Sequence, residues 1–259
     1  MASSRCYTIL RAGEATERGQ RRDWSAAQTE TYTARRQGEA RRISAQFLNW
    51  TAKATLRSYT ALPGGRDGAQ PLVPLILDGA GNLYGTTYLG GAPKCNVGNN
   101  GACGSVFTVT MTGKKAGKEK VLFRFSSPKK YGSFPYGSLM LDSAGNLYGT
   151  ASLNGPGHEG VVLKLGASGG ATVLHSFSFH PDGVPSSALI QDAAGNLYGT
   201  TGVGAGDVYE LDPLGNETVL HIFGGSEGTE PFQSGVIMDG DGNLYGTMYS
   251  GGNEVACNG

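Results

Sequence analysis

The sequence has 259 residues, of which 43 are glycine and only 16% are charged. Glycine averages about 7% in proteins and destabilises helix interiors, so this enrichment argues against a mainly helical fold. The low charge argues against a disordered chain, and no apolar run of about 18 residues is present to span a membrane. The class that remains is a turn-rich β protein.

Charge is distributed unevenly along the chain. Residues 1–50 carry a net charge of +4, residues 51–164 carry +7, and residues 165–259 carry −11 without a single Lys or Arg. A basic segment can bind nucleic acid, but the acidic final third argues against a nucleic-acid partner. We interpret residues 1–50 as a basic, disordered or atypical tail without a signal-peptide core. Residues 51–259 are the predicted repeat domain.

One six-residue string recurs along the repeat domain. Gly-Asn-Leu-Tyr-Gly-Thr begins at Gly81, Gly145, Gly195 and Gly242, and an aspartate precedes each of these glycines by three residues. Such an Asp accepts backbone N–H groups and the Gly adopts a positive φ, so each string predicts a β-hairpin. The hairpins cover residues 75–88, 139–151, 189–201 and 236–248. The predicted turn residues are Asp78, Gly81, Asn82, Asp142, Gly145, Asn146, Asp192, Gly195, Asn196, Asp239, Gly242 and Asn243.

Two more strands follow each of the first three hairpins. The third strands begin at Ser105, Val161 and Asp207, and the fourth strands begin at Val121, Val173 and Val219. Four short antiparallel strands in about 50 residues are typical of a β-propeller blade. The predicted fold class is therefore all-β, a β-propeller-like array with three full blades and an incomplete end blade. A flat meander or a β-sandwich is the alternative.

The repeat unit resembles the GloVer (Gloeo-Verruco) tandem repeat of bacterial proteins. The shared pattern is Asp-x-x-Gly-Asn-Leu-Tyr-Gly-Thr-Thr, a Gly-Gly loop, Gly-x-Val-Phe-x-Leu and Val-Leu-His-x-Phe, and it covers roughly Leu56 to Gly259. The resemblance implies an extracellular or cell-surface, choice-of-anchor type of protein with no established chemistry. This chain departs from the family because it shows no signal peptide, no anchor and no complete end repeats.

Both ends of the array are predicted to be open. Residues 56–59 have the pattern of a fourth strand with no strands before it, and the hairpin at 236–248 is not followed by a third strand. Open blade edges expose unpaired backbone groups. We therefore expect self-association through these edges, and a fragment of a larger propeller is as consistent with the pattern as a small closed ring.

Cysteines and catalytic motifs give few site predictions. Cys95 and Cys103 flank a Gly/Asn loop and are predicted to form a local disulfide, as in proteins of oxidising compartments; they lack the further ligands of a metal site. Residues 224–228 match G-x-S-x-G, but no helix follows, as a nucleophile elbow would require. Residues 239–243 resemble a calcium loop, but Ser250 stands where an EF-hand has glutamate. We predict no catalytic, cofactor or metal residues.

These observations leave three hypotheses for function. The first is a non-catalytic surface or extracellular module that binds a carbohydrate or protein ligand, with the repeated tyrosines on the binding face. The second is a propeller enzyme of the lactonase or lyase type, which needs carboxylate, His or Asn side chains that converge on the axis. The third is a truncated fragment without independent function. His175 and His221 occupy the strand position that Phe123 has in the first unit, which favours packing or a polar edge contact over metal binding.

Overall fold

The structure is a computed structural model. It describes residues 65–91, 103–111, 116–178, 183–224, 228–231 and 235–250, together with the backbone of two strands at 45–50 and 56–62. All of the larger elements are strands, as the glycine content and the β-branched runs predict. A 3₁₀ turn at Gly65–Asp67 and a single helical turn, α1 (Pro128–Tyr131), lie in loops.

Three four-stranded antiparallel sheets form the body of the protein, and we name them blades A, B and C. Blade A contains β3 (Ile76–Leu77), β4 (Asn82–Thr87), β5 (Ser105–Thr110) and β6 (Lys118–Arg124). Blade B contains β7 (Met140–Leu141), β8 (Leu147–Ala151), β9 (His158–Leu165) and β10 (Ala171–Ser178). Blade C contains β11 (Ile190–Gln191), β12 (Leu197–Thr201), β13 (Asp207–Leu211) and β14 (Glu217–Ile222). The prediction of an all-β, propeller-like array with three full blades is confirmed.

Two two-stranded sheets flank the three blades in sequence. One pairs β1 (Ala45–Trp50) with β2 (Leu56–Leu62), and the other pairs β15 (Ile237–Met238) with β16 (Leu244–Tyr245). Strand β1 lies inside the segment that the sequence assigned to the tail, so the β region begins earlier than predicted. Ala45–Trp50 has no charge and three large apolar residues, which suits a strand. Residues 1–44 lie outside the described residues.

The strand glycine makes room for a ring from the neighbouring strand in blades A and C. Gly85 pairs with Phe107, and a Cβ atom at Gly85 would lie 2.7 Å from Phe107 Cζ and 2.5 Å from Leu75 Cδ2. In blade C, Gly199 faces the buried Tyr209 in the same register. In these two blades the glycine lets the core close over an aromatic side chain of the third strand. In blade B, Gly149 pairs with Leu163, and a Cβ atom there would lie 3.0 Å from Leu139 Cδ2.

Apolar clusters join the blades to one another. Val106 and Phe125 of blade A pack with Leu139, Leu147 and Val161 of blade B. Tyr148, Val162 and Phe177 of blade B pack with Leu189, Leu197, Tyr209 and Leu211 of blade C. Since these side chains are almost completely buried, each junction between blades contributes several residues of core at roughly 1.5–3 kcal/mol each.

Candidate functional site

The predicted turn residues form the same hydrogen-bonded cluster in every repeat. In the first, Asp78 Oδ1 accepts the backbone N–H groups of Ala80 (2.9 Å) and Asn82 (2.7 Å). Its Oδ2 accepts the Asn82 side-chain amide (2.8 Å) and the Tyr84 hydroxyl (3.0 Å). The turn closes with a hydrogen bond from Gly81 N to Asp78 O, and Gly81 has φ +82°. The same contacts recur around Asp142, Asp192 and Asp239.

The hydrogen bonds of these clusters account for the Asp-x-x-Gly-Asn-x-Tyr spacing of the repeat, so no ligand is needed to explain it. Each carboxylate accepts four hydrogen bonds from its own repeat, which satisfies its acceptor sites. Burial raises the pKa of Asp142, but hydrogen bonds from Asn146 and Tyr148 together lower it more, and its pKa lies below the ordinary value. The pKa of Asp239 falls to about 2, chiefly through the hydrogen bond from the Asn243 side chain.

In the three blades the repeated tyrosines do not form the exposed aromatic face that the sequence suggested, whereas Tyr245 of the last hairpin is 55% exposed. Their hydroxyl groups are held by the turn aspartates, and Tyr148 and Tyr198 are 6% and 8% exposed. The signal was present in the sequence, because a residue two positions beyond the turn asparagine lies on the same face of the strand. Tyr84 is half-buried.

A fifth turn of this kind lies between β13 and β14, and its aspartate is not among the predicted turn residues. Asp212 Oδ1 accepts the N–H groups of Leu214 (2.8 Å) and Asn216 (2.9 Å), and its Oδ2 accepts the Asn216 amide (2.7 Å). The sequence Asp-Pro-Leu-Gly-Asn carries the same Asp-x-x-Gly-Asn spacing, but no tyrosine follows it. That spacing alone would have identified the turn.

A groove of about 400 Å³ opens between blades A and B, and we name it the A–B groove. Blade A contributes polar side chains from three adjacent strands, and blade B contributes a glycine-rich turn. Its volume lies within the usual range for small-ligand sites. The lining residues that the argument uses are Tyr84, Thr108, Thr110, Lys120, Leu122 and Ser168.

The groove is open because a short residue pairs with the turn tyrosine on the adjacent strand. Tyr84 pairs with Thr108 in blade A, whereas Tyr148 pairs with Lys164 in blade B. The Lys164 ammonium lies 5.3 Å from the centre of the Tyr148 ring and covers it, as cation–π contacts do. The short Thr108 side chain leaves the corresponding space over Tyr84 open to solvent.

The turn of blade B that faces the groove also carries few side chains. Residues 166–170 read Gly-Ala-Ser-Gly-Gly, and a Cβ atom added at Gly169 would meet nothing within 4 Å. Gly169 N donates to Gly166 O (2.8 Å), and Ala167 N donates to Asn146 Oδ1 (3.2 Å), which anchors the turn to the hairpin of its own blade. The turn is therefore held in place, and Ala167 and Ser168 are its only residues with a side chain.

The corresponding junction between blades B and C is closed. A Cβ atom at Gly215, the counterpart of Gly169, would overlap the Leu174 carbonyl oxygen of β10. His175 spans the two blades: its Nδ1 donates to Gly215 O (3.1 Å), and its Nε2 lies 3.3 Å from Glu217 Oε2. His175 thus makes a polar contact between blades B and C.

The other predicted sites have these outcomes. Cys103 is fully buried and disulfide-bonded, but Cys95 lies outside the described residues, so the pairing stays a prediction. Residues 225–227 of the G-x-S-x-G match also lie outside them. In the part of the chain that the structure describes, no three His, Cys, Asp or Glu side chains are grouped to hold a metal ion. No helix in that same part is long and apolar enough to cross a bilayer.

The fold and the repeated turns define a class, the bacterial propeller-like repeat proteins. The sequence model of the Gloeobacter/Verrucomicrobia repeat matches residues 27–205, which is more than half of the chain. The chain therefore belongs to the Gloeobacter/Verrucomicrobia repeat family. None of the curated proteins matches it.

Solved structures show similarity of the backbone alone. A gluconolactonase from Xanthomonas campestris is 18% identical, with a TM-score of 0.47, and the match covers 80% of this chain and 65% of that one. A protein of unknown function from Bacteroides thetaiotaomicron is 14% identical, with a TM-score of 0.45 and coverage of 78% and 49%. The chain thus spans less than two thirds of the length of these structures.

Proposed function

We propose that this chain is a non-catalytic binding module of the bacterial surface or exterior and that a carbohydrate binds in the A–B groove. The observation that carries the proposal is the composition of the groove. Hydroxyl groups of Thr108, Thr110 and Ser168 line it beside the apolar side chain of Leu122. Alternating hydroxyl donors and acceptors with an apolar surface suit a sugar ring, which has polar edges and an apolar face.

The position of the groove supports the same function. It lies between two rigid sheets, and its blade B wall is fixed by the hydrogen bonds of residues 166–170. A site held by packed strands binds with a small loss of conformational entropy. The extracellular location is the part of the proposal that rests on the family resemblance alone.

A variant that fills the groove tests this proposal. Thr108→Met places an unbranched, uncharged side chain over Tyr84, where Lys164 covers Tyr148 in blade B. The matched control is Thr218→Met, which makes the same substitution at an exposed position of blade C. All three proteins are applied to an array of bacterial, plant and animal oligosaccharides, after light scattering has confirmed that they have the same mass.

The expected result is a set of oligosaccharides that the unmodified chain and Thr218→Met bind equally and that Thr108→Met binds at least about tenfold more weakly. Binding that survives in Thr108→Met would place the ligand elsewhere. An array without any bound oligosaccharide would contradict the proposed function.

A further inference from the structure

The outer strand of blade A carries a row of positive charges beside the A–B groove. Lys118 and Lys120 of β6 are exposed and pair with Thr110 and Thr108 of β5, whose side chains line the groove. Glu119, between them, lies on the opposite, half-buried side of the strand. Because alternate residues of a strand are about 7 Å apart, the two ammonium groups lie side by side along one face.

This row is confined to one blade. The positions that correspond to Lys118 and Lys120 are Gly170 and Thr172 in blade B, and Asn216 and Thr218 in blade C. The whole of residues 165–259 contains no Lys or Arg. The positive row is therefore a local property of the wall of the A–B groove, and the general charge of the protein does not account for it.

The groove itself contains Lys120 and no acidic residue. The carboxylate next to it, Asp78, is turned into its own hairpin, where Asn82 and Tyr84 bind it. An anion in the groove would consequently meet one ammonium group and several hydroxyl groups, with the Lys118 ammonium further along the same face of the strand.

We propose that the ligand of the A–B groove is an acidic carbohydrate whose carboxylate groups pair with Lys120 in the groove and with Lys118 beside it on β6. This inference rests on the proposed function and adds the charge of the ligand to it. A nucleic acid is a less suitable polyanion, because the acidic blade C and the residues after it would repel a long duplex.

Two forms of one polymer separate the charge of the ligand from its sugar. Polygalacturonate carries a carboxylate on each residue, and its fully methyl-esterified form has the same sugars and linkages without the charge. Binding of both polymers to the full chain is measured by biolayer interferometry at about 0.05 M and about 0.5 M salt, which changes the screening of exposed charges strongly. The variants are Lys120→Gln and the control Lys129→Gln, which removes the same charge from the exposed helical turn α1.

We expect polygalacturonate to bind at least about tenfold more tightly than its ester, and we expect this binding to weaken with salt. Lys120→Gln should reduce the binding about three- to tenfold, whereas Lys129→Gln should not change it. Equal binding of both polymers, lost in Thr108→Met, would overturn the inference about charge and keep the proposed function. Binding of neither polymer would overturn the inference. Equal binding of duplex DNA, reduced alike in both lysine variants, would show general attraction of polyanions and would also overturn it.

Discussion

The A–B and B–C junctions are built from the same repeat but differ in what fills the space between blades. At the B–C junction, Leu174 contacts Gly215 and His175 reaches Gly215 and Glu217. At the A–B junction, Phe123 takes the place of His175, and a Cβ atom added at Gly169 would meet nothing within 4 Å, so a groove remains. Both junctions keep the same Asp–Asn–Tyr turns. A few substitutions outside the repeated string thus decide whether a junction is closed or open.

The largest effect is expected at the closed junction, from Gly215→Ala. Gly215 has φ +86°, and a Cβ atom there would overlap the Leu174 carbonyl oxygen. Strain and overlap together should cost about 2–4 kcal/mol of unfolding free energy, measured by urea denaturation. Gly169→Ala is the matched control, since φ is +97° but the space is empty, and it should cost about 1–2 kcal/mol. Equal losses would contradict the difference between the junctions.

A double-mutant cycle replaces two residues of the closed junction with the residues found at the open junction. His175→Phe and Glu217→Ala introduce the residues found at the A–B junction, Phe123 and Ala171. Each single substitution should cost about 1–2 kcal/mol, because it leaves a half-buried polar partner without its contact. The double variant should lose about 0.5–1 kcal/mol less than the sum. Additive losses in thermal unfolding would show that the His175–Glu217 contact contributes nothing.

The turn aspartates are common to both junctions and should govern the acid limit of stability. Asp142→Asn weakens four hydrogen bonds and should cost about 1 kcal/mol at pH 7. Because hydrogen bonds from Asn146 and Tyr148 outweigh burial and lower the pKa of Asp142 in the folded state, its contribution is present above about pH 4 and is lost as the pH falls below that. The difference between the two proteins in urea denaturation should therefore vanish near pH 2. A constant difference at every pH would contradict this assignment.

The smallest effect is expected from Glu119, which occupies in blade A the position of Glu217. Its Oε1 is buried and, among the described residues, has no hydrogen-bond partner, whereas Glu217 faces His175. Burial, with a smaller contribution from Asp67, raises the pKa of Glu119 to about 7. Since the folded state holds the proton more tightly, stability should decrease as the pH rises from about 4.5 to about 7.

Glu119→Gln should remove this part of the pH dependence. The gain in stability at pH 8 is expected to be less than about 1 kcal/mol, because solvent screens a half-buried carboxylate. Thermal unfolding at pH 5 and pH 8 measures it, and Glu210→Gln on blade C is a control that changes the same charge. A gain at pH 5 as large as at pH 8 would show that ionisation is not the cause.

The repeated string is enough to predict the blades. The string that begins at Gly81, together with its three copies, defines a hairpin through contacts within seven residues, from Asp78 to Tyr84. Local hydrogen bonds and the alternation of strands are visible in a sequence because they join residues that are close along the chain. For the same reason the Asp–Tyr hydrogen bond and the turn at Asp212 could have been predicted from spacing.

The position of the proposed ligand site depends on contacts between blades. The A–B groove depends on Thr108 of β5, Lys120 of β6 and the turn at residues 166–170, which lie far apart in the sequence. The contact of His175 with Glu217 likewise joins two blades. Neighbouring blades come together through buried apolar area, which has no direction and leaves no periodic signal for a particular cross-blade pair. The repeat therefore specifies the blade, and packing between blades specifies the site.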